Sequence, residues 1–190
     1  MKANKYNEFS EFELEQLNMK TSSDEKYEEC GAVGTAEEEL EAKTVVKKYR
    51  GVNAKQRTKG TGAGTLKLSL HMNYEKYNEM FGKKNDQLKD GVVAYGRNST
   101  HQEFALTALV LDEDDEKKLK AYPRCIITNN PGGKIENGGE EVAEIELEIA
   151  IMPDEHGYAM YEALYDGADE EVRTAWLESF TPDLVRVTEA

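Results

Sequence analysis

The chain has little of what small disulfide-bonded, membrane-spanning or metal-binding proteins depend on. Its 190 residues include two cysteines, four prolines, three histidines and one tryptophan. Cys30 and Cys125 stand far apart without a CxxC motif, which favours two free thiols in a reducing compartment, although a disulfide between them stays open. Apolar stretches reach about four residues, as at 149–152, which excludes a membrane-spanning segment, and the first residues lack the apolar core of a secretory signal.

Charge is what the chain has in abundance. Charged residues make up 33% and apolar residues 38% of the sequence, which is polar for a compact monomer, and the formal net charge is −14. We expect one domain of ordinary size, part of which is ordered only by a partner. The acidic balance argues against a protein that coats nucleic acid through its overall charge.

The charges are segregated along the sequence. Residues 1–42 carry twelve acidic and four basic residues, whereas residues 43–67 carry eight basic residues and no acidic one. The basic block is either part of a surface that is complementary to the acidic surface of another copy, or a solvated loop that happens to be basic. Residues 1–37 are acidic without apolar periodicity, which predicts a flexible arm in front of a domain at 38–190.

Alternation of apolar and polar residues predicts a mainly β fold. Residues 66–72 and 39–49 have the period of half-buried strands, and the basic, glycine-rich stretch 51–64 between them predicts a long hairpin loop. The remaining strands are predicted at residues 92–95, 104–111, 124–128 and 142–151. Together the pattern indicates a two-sheet β-sandwich or barrel-like domain with a short flanking helix and an extended N-terminal arm.

Two segments predict helices, and one segment is ambiguous. Asn73 is a good N-cap for a short helix that ends near Gly82, where a left-handed cap belongs. Residues 169–179 predict a second, amphipathic helix that contains Trp176. Residues 158–165 have a spacing that suits either a helix or a strand with both faces covered.

The motifs that could indicate catalysis or metal binding fail on their context. The run Gly-Thr-Gly-Ala-Gly-Thr at 60–65 precedes a strand, whereas a phosphate-binding loop follows a strand and opens a helix. The acidic run 112–116 lacks the glycine and the distal glutamate of a helical calcium loop and predicts a solvated turn. The histidines have no zinc-binding spacing. We therefore predict no enzymatic activity, no cofactor and no metal.

One row of carboxylates has a functional interpretation. Glu144, Glu146 and Glu148 alternate with apolar residues on the strand predicted at 142–151. Equivalent carboxylates on an open face all stay ionised, so they lack the separated pKa values that acid–base catalysis needs. They form either a plain solvated face or a charged face that repels another molecule.

The order of segments resembles the major tail protein family of long, non-contractile-tailed bacteriophages. A strand and a basic loop precede GTLKLSLHM, which is followed by the short helix NYEKYNEMFG and by FALTALVLDEDDEKKLKAYPRCIIT. The stretch PGGKIENGGEEVAEIELEIAIMPDEHGYAMYEAL and the closing TAWLESFTPDLV complete the likeness, which covers roughly residues 38–185. The resemblance depends on the order of segments and not on a short motif.

The resemblance implies a tail-tube subunit that acts in the virion tail after assembly in the host cytoplasm. Six copies would form a ring, and rings would stack into a hollow conduit through which DNA passes without adhering. Tape-measure and tail-end proteins would be further partners, and no membrane would be involved. The long loop would reach a neighbouring ring, with Lys55, Arg57 and Lys59 as the candidate contacts, while Glu144, Glu146 and Glu148 are the candidates for an acidic stripe facing the tube lumen.

Other classes of protein stay open from the sequence. The chain could be another virion part, such as a capsid decoration protein or a tail adaptor, and formation of rings or tubes by the purified protein would separate these. It could also be an acidic β-sandwich module that binds carbohydrate or protein, which a cluster of exposed aromatic residues at one loop end would favour. A single Trp176 in a helical context does not favour that module.

Overall fold

The fold is mainly β, as predicted. The computed structural model describes residues 9–83, 87–133, 135, 137–138 and 142–187. Strands and helices run as β1 (Glu13–Thr21), β2 (Glu28–Glu29), β3 (Gly31–Tyr49), β4 (Val52–Met72), α1 (Tyr74–Met80), β5 (Glu103–Leu111), β6 (Lys117–Ile127), β7 (Ile145–Ile151), β8 (Tyr161–Leu164) and α2 (Glu170–Ser179).

One antiparallel sheet contains all these strands and closes on itself. The hydrogen-bonded order is β2-β1-β5-β6-β7-β4-β3, with β8 paired to the free half of β6. β2 and β3 stand at opposite ends of this order, yet only Cys30 separates them in the chain. The Cys30 amide donates a hydrogen bond to the carbonyl oxygen of Leu17 at 3.0 Å and so joins the two ends. The domain is therefore barrel-like, and its two expected sheets are one continuous sheet.

Alternating residues of the strands fill the barrel. Leu66, Leu68 and Leu70 of β4 are buried, as their period of two predicts. α1 covers one end of the core with Met80 and Phe81, which are at most 1% exposed. The Asn73 carboxamide oxygen accepts hydrogen bonds from the first turn of α1, and the backbone after the helix takes the left-handed conformation at the predicted glycine.

A second apolar cluster lies outside the barrel, where α2 packs on β5, β6 and β8. Trp176 is 1% exposed and packs with Phe180 against Leu119 and Ala121. Its indole Nε1 donates a hydrogen bond to the carbonyl oxygen of Lys120 at 3.0 Å. α2 is thus held by both apolar contact and a buried hydrogen bond, and the predicted second helix is confirmed.

The prediction of an N-terminal arm over residues 1–37 is wrong for the part that the structure describes. β1 lies between β2 and β5, and its Leu17 and Met19 are each 1% exposed. Residues 31–37 belong to β3, and residues 1–8 lie outside the described ranges. The acidic residues of β1 and β3 misled the prediction because most of them point away from the core, whereas the apolar residues between them are few.

Two other predicted segments differ from the structure. Residues 92–95 form no strand, and their apolar side chains lie in a loop with one isolated bridge. The ambiguous stretch 158–165 contains β8, which is a strand with α2 packed on one side. The periodicity of a short apolar run does not show whether the run pairs with another strand. Periodicity alone therefore could not decide the structure of either segment.

Candidate assembly interface

A two-stranded ribbon projects from the barrel where a loop had been predicted. β3 and β4 pair along their whole lengths, but β7 pairs with β4 only between Gly64 and Leu70. Beyond that point, residues 41–63 form a hairpin that pairs with no other strand in the described part of the chain, and we call this segment the ribbon. Arg50 and Gly51 make its two-residue turn, with φ angles of 49° and 80°.

Glycines let the ribbon leave the barrel. Gly62 has a φ of +79°, and a Cβ added there would lie 2.8 Å from the carbonyl oxygen of Gly157. A Cβ on Gly64 would lie 2.7 Å from the carbonyl oxygen of Glu39. The ladder is irregular between Leu40 and Ala42, which places a bulge at this junction. The glycine run is therefore an irregular, closely packed junction between barrel and ribbon, where side chains would clash with the neighbouring backbone.

The two faces of the ribbon differ in charge. Residues 43–47 of β3 pair with residues 59–55 of β4 without a register shift. Directly opposed side chains therefore lie on the same face of the ribbon. One face, which we call the basic face, carries Lys43, Val45, Lys47, Lys55, Arg57 and Lys59. The opposite face carries the uncharged side chains of Thr44, Val46, Gln56 and Thr58, and Lys48 follows them beyond a register shift near the turn.

The basic face has no ionic partner among the residues that the structure describes. Lys43 stands directly opposite Lys59, and Lys47 stands opposite Lys55, although like charges in these positions repel. None of the five cations makes an ion pair with a residue that the structure describes. Every residue from 41 to 61 is exposed, and two-stranded hairpins without further support are marginal in water.

The structure brings together the three cations singled out from the sequence and adds two more. Lys55, Arg57 and Lys59 were expected in a loop, but they lie on one face of β4. Lys43 and Lys47 of β3 join them on that face and were missed. Residues 43–47 and 55–59 both alternate, and a two-residue Arg-Gly turn lies between the two segments. This pattern is the signal that could have predicted their pairing.

A buried ionic cluster fixes the base of the ribbon. The Lys120 ammonium lies 2.8 Å from a carboxylate oxygen of Glu38 and 2.8 Å from one of Glu11, and its side chain is 9% exposed. The Tyr122 hydroxyl donates to the same Glu38 oxygen at 2.5 Å. The cluster borders a cavity of about 440 Å³ at the end of the barrel from which the ribbon projects. Since Glu38 is on β3, the cluster ties the ribbon to β6 and to the segment before β1.

The pKa values of Glu11 and Asp24, which pair with buried or half-buried lysines, predict how stability depends on pH. Burial disfavours the ionised form of Glu11, but hydrogen bonds from Lys120 and Lys118 outweigh it and lower its pKa below the usual 4.5. Burial likewise opposes ionisation of Asp24, whose pKa falls below 3.8 because it accepts hydrogen bonds from Lys76 and Thr21. The two ionised carboxylates stabilise the fold fully at pH values above their usual pKa values. This stabilisation is lost as the pH falls through their lowered pKa values.

We expect the melting temperature to fall steeply between about pH 4.5 and pH 2 in a buffer series followed by circular dichroism. The pKa of Lys120 is raised above 10.5, since its bonds to Glu11 and Glu38 outweigh its burial. The contribution of Lys120 to stability therefore persists up to that pH and is lost only above it. A melting temperature that stays constant between pH 5 and pH 2 would contradict the assignment.

The predicted row of three glutamates is not uniform in the structure. Glu146 and Glu148 are exposed on the outer face of β7. Glu144 precedes β7 and is half-buried, and its carboxylate packs so closely over Gly34 that a Cβ there would lie 2.1 Å from it. Glu144 therefore cannot belong to the same open stripe. Lys67 of β4 stands opposite Glu148 and pairs at 3.3 Å with the carboxylate of Glu37 on β3.

The remaining candidate clusters have ordinary structural roles. The acidic run at 112–116 is the β5–β6 turn, in which the Asp112 carboxylate accepts hydrogen bonds from two backbone amides of the same turn. His156 Nε2 lies 3.5 Å from Asp183 and 3.6 Å from Glu155, but these carboxylates are 80% and 71% exposed, so the group is a contact at the surface. Burial raises the pKa of the Cys30 thiol to about 12, which leaves it without nucleophilic character.

The comparisons with known proteins leave the geometry as the basis for the functional conclusion. A scan against protein-family models found no match, and a search of curated proteins found none either. Within the described ranges, neither helix is long and apolar enough to cross a lipid bilayer.

Proposed function

We propose that this protein is a structural subunit that assembles with copies of itself into rings that stack as a hollow tube, in the manner of a phage tail tube. The observation that carries the proposal is the ribbon. Its arms extend β3 and β4 to 19 and 21 residues, far beyond what the barrel can pair or bury. A segment of this kind gains its stability from a surface outside the subunit.

The composition of the ribbon is that of a contact surface. Val45, Tyr49 and Val52 are between 62% and 69% exposed among basic side chains, so a partner that covers the ribbon buries apolar area and neutralises charge together. A contact between unlike patches on identical copies is head-to-tail, and such contacts generate rings or stacks. An obligate contact of this type typically buries upwards of roughly 2,000 Å².

The net charge suits a conduit for DNA. At −14 per subunit, an assembled tube repels the phosphate backbone unless its basic residues face the channel. In this proposal the ribbon cations are occupied by subunit contacts and are withdrawn from DNA. The protein acts in the virion tail, where tape-measure and tail-end proteins adjoin the tube.

The proposal predicts that Lys55→Glu, Arg57→Glu and Lys59→Glu together prevent assembly without unfolding the subunit. The glutamates introduced at positions 55 and 59 stand opposite Lys47 and Lys43, so they replace repulsion within the ribbon by attraction and keep it formed. We expect the concentration needed for assembly to rise at least tenfold, since reversed charges at a contact cost more than about 1.4 kcal/mol. Sedimentation velocity and negative-stain microscopy measure this.

The matched control reverses two lysines and one arginine elsewhere on the surface. Lys26→Glu, Arg97→Glu and Lys117→Glu change the net charge by the same amount at exposed positions outside the ribbon. This control should assemble like the unaltered protein. A strictly monomeric protein at high concentration, or normal tubes from the ribbon variant, would remove the basis of the proposal. Retardation of DNA by a monomer through the ribbon would indicate a nucleic-acid-binding arm instead.

A further inference from the structure

We infer that the basic face of the ribbon docks on the outer face of β3, β4 and β7 of a neighbouring copy. This inference depends on the proposed function and names the surface that receives the ribbon. We call that surface the acidic wall and define it by its four exposed carboxylates, Glu37, Glu39, Glu146 and Glu148.

The acidic wall is a continuous sheet face. Residues 35, 37 and 39 of β3 are directly opposite residues 69, 67 and 65 of β4, and these are opposite residues 146, 148 and 150 of β7. All nine positions point outward because Leu66 and Leu68, which alternate with them, are buried in the core. Lys67 is the single cation among them, so the wall carries a formal charge of −3. Its other members are Thr35, Thr65, Ser69 and Ala150.

The ribbon and the wall match in charge and spacing. The basic face carries five cations and the wall carries four carboxylates around one lysine. Lys55, Arg57 and Lys59 recur at every second residue of the ribbon, about 7 Å apart, and so do the paired wall carboxylates of β3 (37 and 39) and β7 (146 and 148). The small side chains of Thr65, Ser69 and Ala150 leave room for the longer lysines and arginine to lie across the wall. Docking would also release the repulsion within the two opposed lysine pairs of the ribbon.

The contact cannot form within one subunit. Glu37 and Glu39 lie on β3 directly before the ribbon, and β3 and β4 stay paired from the wall through to the turn. A paired two-stranded ladder of this length cannot fold back on the sheet face from which it extends. The basic face of one copy must therefore reach the wall of another, and because the two patches differ, the contact repeats from copy to copy.

Docking of a ribbon on the acidic wall gives the glutamates on β7 a different role. Glu146 and Glu148 were expected to face the tube lumen, where they would repel DNA. In this arrangement they are covered by a neighbouring ribbon and hold subunits together. In the single subunit they are exposed because no neighbouring ribbon covers this contact surface.

A pair of reciprocal variants tests the inference. The ribbon variant is Lys55→Glu, Arg57→Glu and Lys59→Glu, and the wall variant is Glu39→Lys with Glu146→Lys. The wall positions stand opposite Thr65 and Ser69, so the introduced lysines meet no directly opposed cation. We expect each variant alone to need at least a tenfold higher concentration for assembly, because each places like charges against like.

A one-to-one mixture of the two variants should assemble at a concentration close to that of the unaltered protein. In an alternating chain, the acidic ribbon of one variant meets the basic wall of the other, and the basic ribbon of the second meets the acidic wall of the first. Recovery in the mixture also shows that both variants are folded, which sedimentation velocity with one fluorescently labelled variant would register directly.

The outcomes separate this inference from the proposed function. If the ribbon variant fails to assemble while the wall variant assembles normally, or if both are folded by circular dichroism but fail to assemble alone and mixed, the wall is not the receiving surface. In either case the ribbon keeps its role in assembly. If both variants assemble normally, the ribbon has no such role, and both the proposed function and the docking surface are wrong.

Discussion

Replacing Lys120 with methionine should lower the free energy of unfolding by about 3 kcal/mol, because it leaves Glu38 without its cation in a partly buried site and leaves Glu11 paired with Lys118 alone. Glu38 is the more buried of the two, at 19% exposed, and among the described residues it would keep only the Tyr122 hydroxyl as a hydrogen-bond donor. Glu11 is 46% exposed, and water limits its share of the loss. Urea denaturation at one fixed protein concentration measures the change.

Two further variants make this prediction specific. Lys117→Met removes a lysine from the same strand, but that side chain is 44% exposed and lies 3.8 Å from Glu15, so we expect a loss below about 1 kcal/mol. In the background of Lys120→Met, the change Glu38→Gln should recover part of the stability, since it removes the uncompensated charge. Equal losses from the two lysine variants would mean that the buried cluster contributes no more than a surface ion pair.

Lys120→Met should also weaken the dependence of stability on acid pH. The pKa of Glu11 is lowered because Lys120 and Lys118 donate to it, and with Lys120 gone that pKa moves back toward 4.5. A smaller difference between the folded and unfolded pKa means a smaller loss of stability below pH 4.5. The same series of melting temperatures that describes the unaltered protein tests this in the variant.

Replacing Trp176 with alanine should cost about 3 to 5 kcal/mol of unfolding free energy, the range found when a buried aromatic side chain leaves a cavity. The indole is 1% exposed and fills the space between α2 and the outer face of β5, β6 and β8. The change also removes the hydrogen bond to the carbonyl oxygen of Lys120. Far-UV circular dichroism must follow the unfolding, because Trp176 is the sole tryptophan of the chain.

Trp176→Phe separates packing from hydrogen bonding. Phenylalanine keeps most of the apolar contact with Phe180 and loses the donor, so we expect a cost nearer about 1 to 2 kcal/mol. Tyr74→Ala, on the exposed side of α1, should cost less than about 0.5 kcal/mol. If Trp176→Ala were as mild as Tyr74→Ala, α2 would not be an integral part of the domain.

Local chemistry explains which parts of the candidate interface could be predicted. The excess of basic residues at 43–67 is visible in the sequence, and three of the five cations on the basic face were selected from it. The strand that carries them was taken for a loop because neither of its faces is buried. The other arm is equally exposed but was predicted as a strand because residues 39–49 alternate, whereas the glycine-rich stretch 51–64 has no apolar alternation.

The Lys120 cluster could not be found in the sequence. Its three charged members come from the segment before β1, from β3 and from β6, and 82 residues separate Lys120 from Glu38. Each is an ordinary charged residue in its local context. Lys120 points into the barrel and becomes buried only when the sheet closes, so the pairing depends on closure.

Elements with local signals could be predicted without coordinates: the strands at 66–72, 104–111 and 142–151 that bury one face (the last runs over 145–151 in the structure), the Asn73 cap of α1, and the amphipathic α2. Three features depend on the folded chain, namely the closure of the sheet at Cys30, the inclusion of β1 in the core, and the separation of the cations and carboxylates onto different faces. The physical reason is that burial and capping act over a few residues, whereas strand pairing and closure join residues distant in the chain, and no local pattern specifies which distant strand will be the partner.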